Sequence, residues 1–320
     1  MELKPELLQR LEALEKKYNA MGQDLMSYLD GLLYADYLTY WDYIHADTLL
    51  SLQNPKTSFP DEQIFIIYHQ ITELYFKLCL SEIDQISNKK PVDGKFLLRR
   101  IERINSYFEN LVRSFDIMVD GMEPEQFLKF RMSLLPASGF QSAQYRMIEI
   151  CCTDFIRLVD KDVRPRFESG DASIQEQYEH IYWKAGATEL ATGKKTLTLR
   201  QFELKYSDTL VRLAEQYRDC NLWKIYQGLS EQERNDSALV NALRLLDVNV
   251  NVNWPLSHYK SAVRYLQKDP QDIAATGGTN WQKYLPPRFQ KRIFYPALWS
   301  EEELSEWGKA WVSREVFGLK

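Results

Sequence analysis

The most regular hydrophobic pattern in the chain runs through Leu97, Ile101, Ile104, Phe108, Leu111, Phe115 and Met118, in alternating steps of four and three. That spacing puts one apolar stripe on a helix packed in a bundle, with charges on its outer face. Upstream, Ser58-Phe59-Pro60-Asp61-Glu62 carries turn and helix-start signals, and Ile64 to Ile86 is apolar on more than one face, which predicts a long, largely buried helix. Leu7, Leu8, Leu11 and Leu14 follow a helical period between charges and predict an amphipathic opening helix that needs a partner surface. Helix is also expected over Met147 to Val163, from about Leu199 (with Phe202, Tyr206, Leu210, Leu213 and Tyr217 in period), and from Ser237 toward Leu246. Pro165 to Lys195 is polar and holds Gly170, Gly186 and Gly193, so it reads as an excursion from the core with one short helix around Ile174 to Trp183. The only strand-like run is VNVNVN at Val248 to Asn253, and its place before Trp254-Pro255-Leu256-Ser257-His258 predicts helix or loop instead. The expected fold is an all-α helical bundle, a single domain over 1–320 with an N-terminal helical arm (about 1–45) and a polar helical excursion (about 164–200).

Charge and cysteine usage narrow the function classes. Forty basic residues against 45 acidic ones give a net charge of −5 without a basic tract, so neither nucleic acid nor an anionic membrane is an expected partner. The start MELKPELLQR has no apolar signal region, and no later segment approaches the roughly 18 apolar residues of a membrane span, so a cytoplasmic location is expected. Cys79, Cys151, Cys152 and Cys220 form no C-x-x-C pair and no metal-ligand spacing, which fits reduced thiols; the absence of C-x-x-C-H excludes covalent c-type haem attachment.

Candidate chemistry sits at a few positions. In FLKFRMSLLPASGFQSAQYR, Phe127 to Arg146, Arg131 lies between Phe127 and Phe130 on one side and Leu134 and Leu135 on the other. A guanidinium in such company needs an anion to offset desolvation, either a structural carboxylate at a helix corner or a carboxylate ligand. Pro136-Ala137-Ser138-Gly139 then breaks the helix, and Ser138 is placed to cap the next one. His69 falls four residues after Phe65 and four before Glu73, so the three side chains stack along one side of the long helix. Taken alone, it is either a core histidine bonded to a carbonyl or carboxylate, or a ligand-facing one. His258, with Pro255 in its helix's first turn, is likewise either a capping or surface histidine or a ligand. Tyr34, Tyr37, Tyr40 and Tyr43 recur every third residue and read as amphipathic packing with hydroxyls toward water.

These positions fall, in chain order, on blocks that resemble the tryptophan 2,3-dioxygenase family of haem enzymes. F-x-x-F-R with PASGFQS resembles the family's signature, which puts the arginine that grips the substrate carboxylate at Arg131. Asp61 to Lys77, D-E-x-x-F-I-I-x-H-Q-x-x-E-L-x-F-K, resembles its distal helix, with the histidine at His69 and the phenylalanine at Phe65. Thr39 to Ile44, TYWDYI, is similar to its Y-x-x-Y-[LI] element, which covers the pocket of a neighbouring subunit. Trp254 and Arg264 stand around His258 as in the family's W-x-x-x-H and H-x-x-x-x-x-R at the axial haem ligand. Ala275-Thr276-Gly277-Gly278-Thr279 is similar to the G-T-G-G-S loop, although Ala275 replaces the first glycine and Thr279-Asn280-Trp281 replaces S-S-G. Arg292 to Trp299, RIFYPALW, resembles the C-terminal R-x-F-P-x-L-W with one extra residue before the proline.

The resemblance implies a dioxygenase that inserts both atoms of dioxygen across the pyrrole double bond of L-tryptophan, giving N-formylkynurenine in the kynurenine pathway of tryptophan catabolism. It implies non-covalent ferrous haem b with His258 as axial ligand, and a homotetramer. His69 would act on the indole N–H, Phe65 would pack on the ring, and Arg131 would pair with the carboxylate. Thr276 would cover the amino-acid end, Phe127, Ser138 and Gly139 would line the pocket, and Tyr40 and Tyr43 would complete a neighbour's. Two other readings stand beside this one: a related haem oxygenase acting on another indole, which the altered loop keeps open, and a non-catalytic helical scaffold, which predicts a colourless protein.

Overall fold

Leu97, Ile101, Ile104, Phe108 and Leu111 are completely buried, as their four-and-three spacing requires, and the helix that carries them is the centre of the core. Each such side chain contributes about 1.5–3 kcal/mol relative to exposure. The structure is a computed structural model describing residues 4–134, 136–170, 172–188, 192–266 and 287–308. The chain falls into two compact units, Met1–Asn54 and Pro55–Lys320.

The first unit holds α1 (Pro5–Ala20), α2 (Leu25–Leu33), α3 (Tyr40–Tyr43) and α4 (Ala46–Leu50). Asp24 caps α2 and Thr39 caps α3 with their side chains. None of the four helices buries a residue, and Leu32, Leu33, Tyr37, Tyr40 and Tyr43 are all exposed.

The second unit is built on α5 (Asp61–Asn88) and α6 (Gly94–Ser114), followed by α7 (Asp116–Asp120), α8 (Pro124–Phe130) and α9 (Ala143–Cys152). Two short helices, α10 (Ile174–Glu179) and α11 (Tyr182–Gly186), precede α12 (Leu197–Gln216), α13 (Leu222–Gln227), α14 (Glu231–Arg234), α15 (Ser237–Val248) and α16 (Trp254–Leu266). Helix α6 packs between α5 and α15, and α9 packs against α5 and α12. Among the described residues there is no strand, only isolated bridges at Val159–Ile181 and Thr188–Lys195. No described helix is long and apolar enough to cross a membrane.

The structure differs from the sequence pattern in three places. The helix expected over Met147 to Val163 ends at Cys152, because Thr153 turns extended and its hydroxyl donates to the Phe294 carbonyl at 2.7 Å. The 164–200 segment does not leave the core: Ile174, Tyr178, Ile181, Tyr182 and Trp183 are buried in it, on an apolar face that the intervening charges hide. VNVNVN is helical, but its residues Asn249–Asn253 form a π-helix that joins α15 to α16 without a break. Its asparagines donate inside the protein, Asn249 to Asn105 at 3.2 Å, Asn251 to Asp247 at 2.8 Å and Asn253 to Asn249 at 2.9 Å, while Asn251 Oδ1 is buried without a donor. The widened turn is also held from α9, where the Tyr145 hydroxyl donates to the Val250 carbonyl at 2.8 Å.

Candidate active site

One turn of α5 sets Phe65 beneath His69, with ring centroids 4.1 Å apart and a 34° tilt. His69 Nδ1 lies 2.7 Å from the Phe65 carbonyl oxygen, so Nδ1 carries the hydrogen and donates it, which leaves Nε2 as an acceptor. Desolvation lowers the pKa of the ring against the opposing pull of that carbonyl and of Glu73, so His69 is neutral at pH 7. Glu73 is engaged elsewhere, accepting from Gln144 of α9 at 2.8 Å.

An aromatic wall continues from Phe65. Phe130 meets it edge-on at 5.8 Å, Phe127 lies 6.4 Å away, and Phe127 in turn packs on Tyr265 of α16 at 4.7 Å. Helix α8 ends at Phe130, and Arg131–Leu134 tightens into a 3-10 turn that draws Arg131 inward until 6 % of it is exposed. Burial pushes its pKa down from the usual arginine value, but a guanidinium starting above 12 stays cationic, so a fixed positive charge stands behind the wall.

The next turn, Gly139–Gln141, is capped reciprocally: Ser138 Oγ accepts from the Phe140 N–H, and Gln141 Oε1 accepts from the Ser138 N–H. Two bonds tie this turn to α12, Gln141 Nε2 to the Thr198 carbonyl at 3.2 Å and the Thr198 hydroxyl to the Pro136 carbonyl at 2.9 Å. Gly139 faces His258 so closely that a Cβ there would lie 3.1 Å from Nε2. The His258 ring packs against Phe115 at 5.6 Å, and Trp254, one turn earlier, meets Phe115 and Phe76 edge-on at 5.2 and 5.6 Å. Desolvation, with a smaller contribution from His69, pushes the His258 pKa down to about 4, so its imidazole is neutral. Its Nδ1 is buried and has no hydrogen-bond partner.

The second unit thus brings Phe65, His69, Phe127, Gly139 and His258 into one neighbourhood, with Arg131 following Phe130 of the wall and Ser138 preceding Gly139 in the chain. Tyr40 and Tyr43 belong to the first unit, where both are exposed. Thr276 and the loop around it lie outside the described residues. Sequence reasoning missed Phe115 as a site residue, since in the seam it reads only as core; its one signal was an aromatic ring at the end of α6.

The fold and site define an all-α protein whose second unit sets two neutral histidines near an aromatic wall, with a buried arginine directly after Phe130. Residues 31–171 match the tryptophan 2,3-dioxygenase family. Proteins of that name from Bacillus thuringiensis subsp. konkukian (strain 97-27) and Bacillus anthracis are each 30% identical over 276 residues, covering 82% of this chain and 91% of theirs. The one from Ruegeria pomeroyi is 28% identical over 276 residues, covering 83% of this chain and 92% of its own. The chain belongs to the tryptophan 2,3-dioxygenase family and is an oxidoreductase, which removes the scaffold reading.

Proposed function

We propose that this protein is a haem-dependent dioxygenase that opens the indole ring of L-tryptophan with dioxygen to give N-formylkynurenine. The observation that carries the reading is the pairing of two neutral imidazoles, His69 with an accepting Nε2 and His258 with Nε2 against a residue that has no side chain. An axial haem ligand needs a neutral ring that the protein has not already engaged; the His258 ring is neutral, its Nδ1 has no hydrogen-bond partner, and Gly139 presents no side chain to Nε2. The residues fit haem b on that test.

Haem, when bound through His258, supplies the oxygen chemistry. The chain's own residues bind and orient. Phe65 packs on the indole face, and Phe127 extends the apolar wall behind it. His69 Nε2 accepts the indole N–H, a role that its Nδ1–carbonyl bond supports by fixing the tautomer. Arg131 pairs with the substrate carboxylate through two parallel bonds, with Ser138 and Gly139 beside it. Thr276 covers the amino-acid end and excludes water. Holding both reactants at one geometry is the catalytic contribution.

The protein works in the cytoplasm as a homotetramer in which Tyr40 and Tyr43 complete a neighbour's pocket. The apolar residues left exposed by α1–α4 support this assembly. Mixing Arg131→Leu protein with Tyr43→Ala protein under verified subunit exchange should then restore activity that neither parent has; a mixture no more active than its parents removes the shared pocket. The test of the function is the absorption spectrum and product of the purified protein. A strong Soret band and a tryptophan product carrying two oxygens from dioxygen are expected; a colourless protein, or a product with one such oxygen, overturns the reading.

A further inference from the structure

Arg157, Lys161, Arg164 and Lys291 line one cavity of about 280 Å³ in the second unit, together with the apolar side chains of Ile293, Pro296 and Leu304. No carboxylate lines it, and none of the four cations makes an ion pair among the described residues. In a chain whose net charge is −5, four unpaired cations around one concavity are a concentration of the minority charge.

Arg164 and the 292–295 backbone are held before any ligand arrives. Arg164 Nη2 donates to the carbonyl oxygens of Arg157 and Val159, both at 3.0 Å, while its Nε is buried without an acceptor. Desolvation and the neighbouring Arg157 both push the Arg164 pKa down, and Asp160 and Glu168 attract the guanidinium without pairing with it. Across the cavity, residues 291–296 are pinned from behind. Arg292 turns inward to Glu149 and Tyr182, and the Phe294 and Tyr295 N–H groups donate to Asp247 at 2.9 and 3.1 Å, which leaves Lys291 and Ile293 for the cavity. A cationic site with one guanidinium and one backbone wall already held loses less entropy on binding than a site that must order all of its parts.

We propose that this cavity binds a small phosphate-bearing molecule, separately from the tryptophan pocket. A single carboxylate would balance one of four positive charges. A phosphate group offers up to two charges and several acceptor oxygens, which match two guanidinium forks and two ammonium groups. Ile293, Pro296 and Leu304 suit the organic part of such a ligand, and a concave space of this size accepts a small molecule rather than a polymer strand.

The test uses the full haem-loaded chain, with inorganic phosphate and inorganic pyrophosphate titrated at constant ionic strength and followed by calorimetry and thermal unfolding. Lys161 and Lys291 are exposed, so the double variant Lys161→Gln, Lys291→Asn should fold; asparagine also tolerates the positive φ of 44° at residue 291. Saturable binding with a rise in Tm is expected, tighter for pyrophosphate than for phosphate, with the midpoint weakened at least tenfold in the double variant. An equal midpoint in the variant, or the same rise in Tm with chloride alone, overturns the site.

Discussion

Gly139 faces the His258 ring without a side chain: a Cβ on residue 139 would stand 3.1 Å from the imidazole Nε2. The constraint there is space and not backbone conformation: a side chain would make the ring or the turn give by a few tenths of an ångström, while the φ of Gly139 does not lie in the left-handed region. The capping box of Ser138 and Gln141 and the two bonds to α12 keep the turn from backing away. Gly139→Ala should lower haem affinity roughly tenfold, equivalent to about 1.4 kcal/mol, and Gly139→Val further, with little change in Tm. A haem titration followed at the Soret band measures this, and full affinity in the valine variant would remove the role given to this contact.

The two histidines should respond differently to substitution. His258→Ala should purify largely without haem, and free imidazole should restore part of the binding, because the enclosure of Phe115 and Trp254 remains. His69→Ala should keep its haem and lose tryptophan turnover by one to two orders of magnitude, about 1.5–3 kcal/mol of lost orientation. Haem occupancy and turnover on both variants decide the assignment: full haem in His258→Ala with loss in His69→Ala would reverse it.

Much of this arrangement was legible because it is local. The seam from Leu97 to Leu111 is buried where its period puts it, and the four-residue step from Phe65 to His69 becomes a ring contact on one helix face. What the sequence hid depends on partners far away in the chain. A valine–asparagine alternation has the period of a strand, and only Asn105 of α6, Tyr145 of α9 and Asp247 of α15 itself make it a buried π turn. The apolar face of 174–183 is likewise interrupted by Gln175, Glu176, Gln177, Glu179 and His180, and its burial shows only once Arg146 and Tyr182 are seen to meet. The approach of Gly139 to His258 leaves no local mark at all, since the two residues belong to segments that only the bundle brings together.

Arg131→Leu separates substrate binding from structure. If Arg131 pairs with the tryptophan carboxylate, haem content and Tm should stay near normal while tryptophan capture weakens by about 2–4 kcal/mol, the scale of a lost charge-assisted pair. Tryptamine, which has no carboxylate, should then be handled as well as tryptophan. A much lower Tm with unchanged activity per bound haem would instead make Arg131 a structural cation.

Asp247 provides the pH-dependent test of the helix that leads to His258. It is fully buried, with Oδ1 accepting from Asn251 Nδ2 at 2.8 Å and the Phe294 N–H at 2.9 Å, and Oδ2 from the Tyr295 N–H and Trp299 Nε1, both at 3.1 Å. Desolvation outweighs these four donors and pushes its pKa up to about 6. An unfolded aspartate titrates near 3.9, so between about pH 4 and pH 6 the folded state binds more protons than the unfolded one. Stability must therefore fall as pH rises through that window, by up to about 3 kcal/mol for the two-unit difference. Asp247→Asn has no proton to lose and should lack this slope. Urea unfolding of both proteins from pH 4 to pH 7 should show the stability of the native chain falling relative to the variant, by most of that amount before pH 7. Parallel pH profiles for the two proteins would mean that Asp247 is already ionised at pH 4, its four donors outweighing burial.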